Sequence, residues 1–202
     1  MREEEYKELN ISEKSLVKFI HKFTTDNEIH PHNVKVGHGP VGGTYMIRGK
    51  EKEYDKDSFL MEVSSEKWIL LFIPSSENEI ELFKIEVNDR YRKSGVGTEV
   101  LNLILDTSDE LNIGLKLLPY SYDTKSDYLE KDYPLEELNI ESLKLLDVKR
   151  IQIENKKLRK KTINDTYFLK DWYRSFGFKS INPTMNPYLS YEPQVNELKM
   201  VG

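Results

Sequence analysis

The chain is predicted to fold as one α/β (α+β) domain built around a mixed central sheet. Three observations carry that prediction. Short runs rich in β-branched and aromatic residues precede a longer strand at Ile80–Val87. A glycine-bearing turn, Arg92-Lys93-Ser94-Gly95-Val96-Gly97, follows that strand directly. An amphipathic helix then leads into another apolar run at Ile113–Leu118. Strand, helix and strand of these lengths imply a parallel pair joined by a right-handed crossover.

The elements follow in order. Residues 1–10 are polar and read as a loosely docked lead-in. Ile11–Phe23 reads as a helix, with Ser12 as N-cap and Leu16, Val17, Ile20 and Phe23 on one face. His30, His32 and His38 lie in a stretch rich in proline and glycine that reads as loop. No acidic or cysteine ligand joins them, so incidental exposed histidines are the expectation and no metal site is assigned. Thr44–Arg48, Phe59–Val63 and Trp68–Ile73 read as short strands in a meander, with Glu66-Lys67 at a hairpin tip and a turn at Pro74–Asn78.

After the Ile80–Val87 strand, the helix is expected to begin near Thr98 and run to about Leu111, with Val100, Leu101, Ile104 and Leu105 inward. Pro119 closes the next strand. Residues 120–162 are long for a connection and should hold structure of their own, part of it helical over Leu135–Leu146. Lys156, Lys157, Arg159, Lys160 and Lys161 form a basic run: a solvated helix face, or a seat for an acidic partner or an outer phosphate. Asp165 or Thr166 caps a helix bearing Phe168, Leu169, Trp172 and Phe176. Gly177 stands at its C-terminus, and a strand starts at Phe178. A further short strand near Tyr188–Tyr191 ends the reading.

Length and composition bound the classes. At 202 residues the chain sits at the upper end of single-domain size, with no internal repeat. A net charge of −5 argues against nucleic-acid binding through the whole surface. There is no cysteine, hence no disulfide, thiol nucleophile or thiolate metal site. The first ten residues lack the apolar core of a signal peptide, and no apolar run approaches the ~20 residues of a membrane helix. A cytoplasmic protein with no membrane partner is expected.

The glycine turn suits an anion. Two glycines free the backbone, and successive N–H groups opening into a helix start can hold a phosphate. A Walker-type loop is absent, and the dinucleotide fingerprint fails because Val100 stands where its third glycine belongs. The segment instead resembles the acetyl-CoA-binding core of the GNAT superfamily of N-acetyltransferases. That motif is Arg or Gln, two residues, Gly, one residue, then Gly or Ala, and Arg92 to Gly97 fits it at every fixed position. Val87 ends the preceding strand as in the family. A second match is Tyr173, three residues, then Gly177-Phe178.

The resemblance implies a GNAT-like sheet splayed between the Ile80–Val87 strand and the next parallel strand, with helices on both faces, over one domain spanning 1–202. Residues 120–162 would be a family-atypical insertion lining the acceptor side. It implies acetyl-CoA as co-substrate, with Ile85 and Val87 giving main-chain contacts to the pantetheine arm. Arg92, Lys93, Ser94, Gly95, Val96, Gly97 and Thr98 would cradle the pyrophosphate. Acetyl transfer to a primary amine by direct attack is the implied activity. Tyr173 would be the acid for the leaving thiolate. Glu81, six residues before Val87, would be the base unless a water relay serves. By strand alternation Glu81 shares a face with Phe83 and Ile85, which makes Glu86, on the other face, second choice. The acceptor is a small molecule or a protein amine before a nucleobase. Family members often dimerise. The alternative is a catalytically silent acyl-CoA-binding module acting as sensor or partner-binding protein.

Overall fold

The computed structural model describes residues 3–47, 50–119, 165–182 and 186–194. The helix expected at Leu135–Leu146, the basic run at 156–161 and the 120–162 insertion lie outside the described residues. Four helices are described: α1 (Glu3–Glu8), α2 (Ile11–Asp26), α3 (Val96–Leu111) and α4 (residues 165–175). Seven strands join in one sheet: β1 (Val34–Ile47), β2 (Lys50–Ser64), β3 (Trp68–Ser76), β4 (Glu79–Val87), β5 (Gly114–Leu117), β6 (Lys179–Asn182) and β7 (Asn186–Tyr191). Their order is β1-β2-β3-β4-β5-β7-β6. The β4–β5 pair is parallel and the others are antiparallel, so the predicted mixed α/β sheet is present.

The N-terminal lead-in is helical as α1, against the loose segment expected. α2 starts from Asn10, not Ser12. The Asn10 side chain accepts from the Glu13 N–H at 2.9 Å, and the Glu13 carboxylate accepts from the Asn10 N–H at 2.8 Å. This reciprocal capping box is worth about 1 kcal/mol. Leu16, Phe19, Ile20 and Phe23 then point into the core. Phe19 and Phe23 meet Phe72 of β3 at ring separations of 5.7 and 6.5 Å, and Phe23 also meets Trp68 at 6.3 Å.

β1 and β2 are far longer than the short runs read from the sequence. The stretch read as a histidine- and glycine-rich loop is strand through Ile47. β2 pairs with β3 only over Met61–Ser64, so most of the β1–β2 hairpin extends beyond that pairing. β1 returns into contact with β7, which is remote from it in the sheet order. His38 packs edge-on to Phe59 at 5.1 Å. His30 and His32 touch through their Nδ1 atoms in a 3-10 turn. No group of three or more metal-ligating side chains occurs among the described residues.

The strand–helix–strand unit forms as predicted, with one change: α3 begins at Val96 rather than Thr98. Val100, Leu101, Ile104 and Leu105 are buried. α2 and α3 pack on each other and on the sheet. α4 joins the same face, since Trp172 and Tyr173 belong to the same core as Leu82, Leu101 and Leu115. Tyr191, in that core too, donates to Asp109 of α3 at 2.9 Å.

Candidate active site

β4 changes phase in its middle. Leu71 pairs with Lys84 and Phe72 with Leu82, so Phe83 is an extra residue with no partner of its own on β3. Such a bulge bends the strand and shifts its alternation by one. Directly opposed residues of an antiparallel pair share a face. Leu82, paired with Phe72, faces the helices. Ile85 and Val87, paired with Leu70 and Trp68, face them as well. Glu81, Lys84 and Glu86, paired with Ile73, Leu71 and Ile69, all point the other way. This corrects the simple alternation: Glu81 does not share a face with Ile85, and Glu86 shares one with Glu81. An ion pair between Lys84 and Glu86 fits their common side.

β5 lies beside only the first half of β4. The parallel ladder runs from Glu79–Gly114 to Leu82–Leu117 and stops. β4 continues to Val87, while the other chain reaches Pro119, which has no N–H to offer a ladder. Among the described residues, Phe83–Val87 therefore run without a strand on the β5 side. Bulge and proline together part the two strands.

The open half of β4 ends at the glycine turn. Lys93 and Gly95 adopt left-handed conformations with φ of 63° and 89°. Gly95 is the N-cap of α3 and gives no side-chain cap, so the first-turn N–H groups of Val96, Gly97 and Thr98 lack helical acceptors. The turn is pinned from outside. The Tyr91 hydroxyl donates to Glu66 at 2.8 Å, the Asn88 N–H donates to the Lys67 carbonyl at 2.9 Å, and Ser94 Oγ donates to the Tyr91 carbonyl at 2.6 Å. Arg92 leans back onto the strand, with Nε donating to the Val87 carbonyl at 3.3 Å and its head pairing with Asp89 at 3.0 Å. Lys93 is exposed.

Gly97 stands at the mouth of the parted strands. A Cβ there would lie 3.7 Å from Val87 and 3.9 Å from the Trp172 ring. That distance admits a methyl group, but a longer side chain would fill the gap between β4 and α4. Thus Gly97, between Gly95, Val96 and Thr98 in the turn, lies close to Val87 at the end of β4 and to Trp172 of α4, with Ile85 on the same face of β4 as Val87. Residues Ser65, Glu66, Trp68, Ile69, Glu86, Asn88, Asp89 and Arg92 line a separate pocket of about 280 Å³ on the β3 side of this strand end.

Tyr173 lies on the helix side of β4, 9% exposed, with its ring 4.8 Å from Trp172 and 5.7 Å from Phe178. Burial pushes its phenol well above the ordinary 10.0. Its hydroxyl makes no hydrogen bond among the described residues. Gly177, with φ of 94°, ends α4 as predicted, and the Phe178 N–H returns to the Tyr173 carbonyl at 3.4 Å.

Glu81 occupies the other face. It is 1% exposed, beside Ile73 at 0%. Its Oε2 lies 4.0 Å from Nζ of Lys116, its ladder partner on β5. The same ammonium sits 4.4 Å from the ring centroid of Tyr188. Glu81 therefore points away from the core that holds Tyr173, one rung before the β4–β5 ladder ends. The Lys116–Tyr188 contact was not foreseen. Its signal in the sequence was a lysine inside an otherwise apolar strand, Ile113–Leu118.

No protein-family model matches the chain, and no curated protein matches it. Among solved structures, the crystal structure of nourseothricin acetyltransferase is similar at 12% identity, covering 50% of this chain and 81% of that chain, with a TM-score of 0.27. No helix among the described residues is long and apolar enough to cross a membrane.

Proposed function

We propose that this protein is an acyltransferase of the GNAT type that moves an acetyl group from acetyl-CoA to a primary amine. The observation that carries the reading is the end of the β4–β5 ladder at Leu82–Leu117 while β4 runs on to Val87, with a turn at its end whose first helical amides have no helical acceptor. An extended pantetheine arm would add to that edge as a strand does. The N–H groups of Val96, Gly97 and Thr98 would take the pyrophosphate, with Lys93 and the α3 dipole adding positive charge. Arg92 would act through the turn, because its head is engaged with Asp89 and Val87. The match of Arg92–Gly97 and of Tyr173–Phe178 to the family motifs supports the same reading.

The chemistry needs three things from the chain. An amine at pH 7 is an ammonium with an ordinary pKa of about 10.4, and it must lose a proton before it can attack. Glu81 would take that proton, directly or through water. A strand N–H near Val87 would polarise the thioester carbonyl as the tetrahedral centre forms. Tyr173, a phenol that carries its proton at neutral pH, would give that proton to the departing sulfur. No covalent intermediate is required, so holding both reactants in line supplies much of the acceleration.

Calorimetry with acetyl-CoA and with free CoA, followed by free-thiol release across a panel of amines, tests the reading. Binding with release on at least one amine is expected. Binding with no release on any amine would point to a silent acyl-CoA-binding module, and no heat with either ligand would end both readings.

A further inference from the structure

Resting on the acetyltransferase reading, we propose that Lys116 is itself an acceptor, acetylated in cis by the bound thioester. Its Nζ lies 4.0 Å from Glu81 Oε2, and it is held from a second side by the Tyr188 ring at 4.4 Å. The residue sits one ladder step before the strands part, since Lys116 pairs with Glu81 and Leu117 with Leu82 at the last rung. One rung is a rise of about 3.3 Å and neighbouring strands lie about 4.8 Å apart. An arm lying in the gap would therefore bring its inner end within reach of a lysine stem. Lys116 keeps 24% of its side chain exposed while Glu81 is 1% exposed, so the ammonium is at the rim and the carboxylate is behind it.

The step balances without another reagent. Glu81 removes one proton from the ammonium and passes it to solvent. The free amine attacks the thioester carbonyl, the C–N bond forms and the C–S bond breaks. The second nitrogen proton goes to solvent as the centre collapses, the sulfur leaves as a thiol protonated by Tyr173, and the tyrosinate recovers one proton from solvent, so that one proton is released overall. The product is a neutral acetyl-lysine where the ion pair stood. Fixing Nζ between an anion and an aromatic face lowers the cost of reaching the attack position.

The test is peptide mapping by mass spectrometry after mixing the full chain with acetyl-CoA. Acetylation at Lys116 is expected about tenfold or more faster than at any other lysine, at a rate independent of protein concentration. Glu81→Gln should slow it at least about tenfold. Lys116→Arg, which keeps charge and stem, should abolish it. If Glu81→Gln does not fold, Tyr188→Leu serves in its place and should slow labelling by freeing the ammonium. Lys116 labelled no faster than surface lysines, in a protein that binds acetyl-CoA and releases thiol with added amines, overturns the proposal alone. No heat with acetyl-CoA and no thiol release overturns it together with the reading beneath it.

Discussion

The two halves of β4 are one strand with opposite surroundings. Over Glu79–Leu82 it is zipped on both sides, to β3 and to β5. Over Lys84–Val87 it keeps β3 and, among the described residues, has no strand on the β5 side. In the closed half Ile80, Glu81 and Leu82 are all buried, whereas every residue from Phe83 to Val87 is only half-buried. The closed half belongs to the core, and stability depends on it. The open half lies past the last rung of the β5 ladder. The contrast teaches that one strand can belong to the core over half its length and leave its neighbour over the other half, where one strand bends and the next one stops.

That contrast makes predictions that differ by half. The largest effects fall on chemistry at the boundary. Tyr173→Phe should lower turnover by about 10²–10⁴-fold while leaving acetyl-CoA affinity nearly unchanged, the range for loss of a positioned acid. Glu81→Gln should do likewise from the opposite face. Steady-state rates beside calorimetry check both, and a Tyr173→Phe protein that turns over normally removes the acid from the scheme.

In the closed half, Phe72→Ala removes the ring that Phe19, Phe23 and the Leu82 rung pack around. It should cost about 3–5 kcal/mol of stability, read by denaturant unfolding. Acetyl-CoA affinity of the molecules that remain folded should not change. In the open half the reverse is expected. Gly97→Leu should fill the space between Val87 and Trp172 and weaken acetyl-CoA binding by about 3 kcal/mol, roughly 100-fold, with little loss of stability. Equal losses of stability and binding in both variants would dissolve the distinction.

The smallest effect is in pH. Burial raises the phenols of Tyr173 and Tyr191 above the ordinary 10.0, and the Asp109 carboxylate raises Tyr191 further. Their folded forms thus bind protons more tightly than the unfolded chain does. The stability this gives is complete below pH 10 and is lost as pH rises above it toward the folded values. Unfolding midpoints should fall from about pH 10 upward, less steeply in Tyr173→Phe.

What could be read from residues alone follows from how local each signal is. The turn was legible because Gly95 and Gly97 act within a few residues, and α4 ended where Gly177 said it would. The β4–α3–β5 crossover was legible because apolar spacing marks each element. The phase of β4 was not. Leu-Phe-Lys-Ile-Glu alternates acceptably in either register, and the extra residue shows only when Leu71 and Phe72 are set against it. The same slip misplaced Glu86. The long β1–β2 hairpin was missed because its glycines, prolines and charges carry weak strand preference, and pairing across the hairpin overrode it. Ser12 was taken for the cap although Asn10 and Glu13 hold the better geometry.

The bulge at Phe83 has a genetic corollary. Losing that single codon would leave every other letter of the message intact and put the pleat back in step. Ile85 and Val87 would keep their sides and their partners Leu70 and Trp68, but the strand would lose its bend, and the seam toward β5 would have no bend to keep it apart. Such a deletion chain should show slower amide hydrogen exchange from 84 to 87 and no heat with acetyl-CoA. Unaltered exchange and binding would mean that Pro119 alone keeps the seam apart.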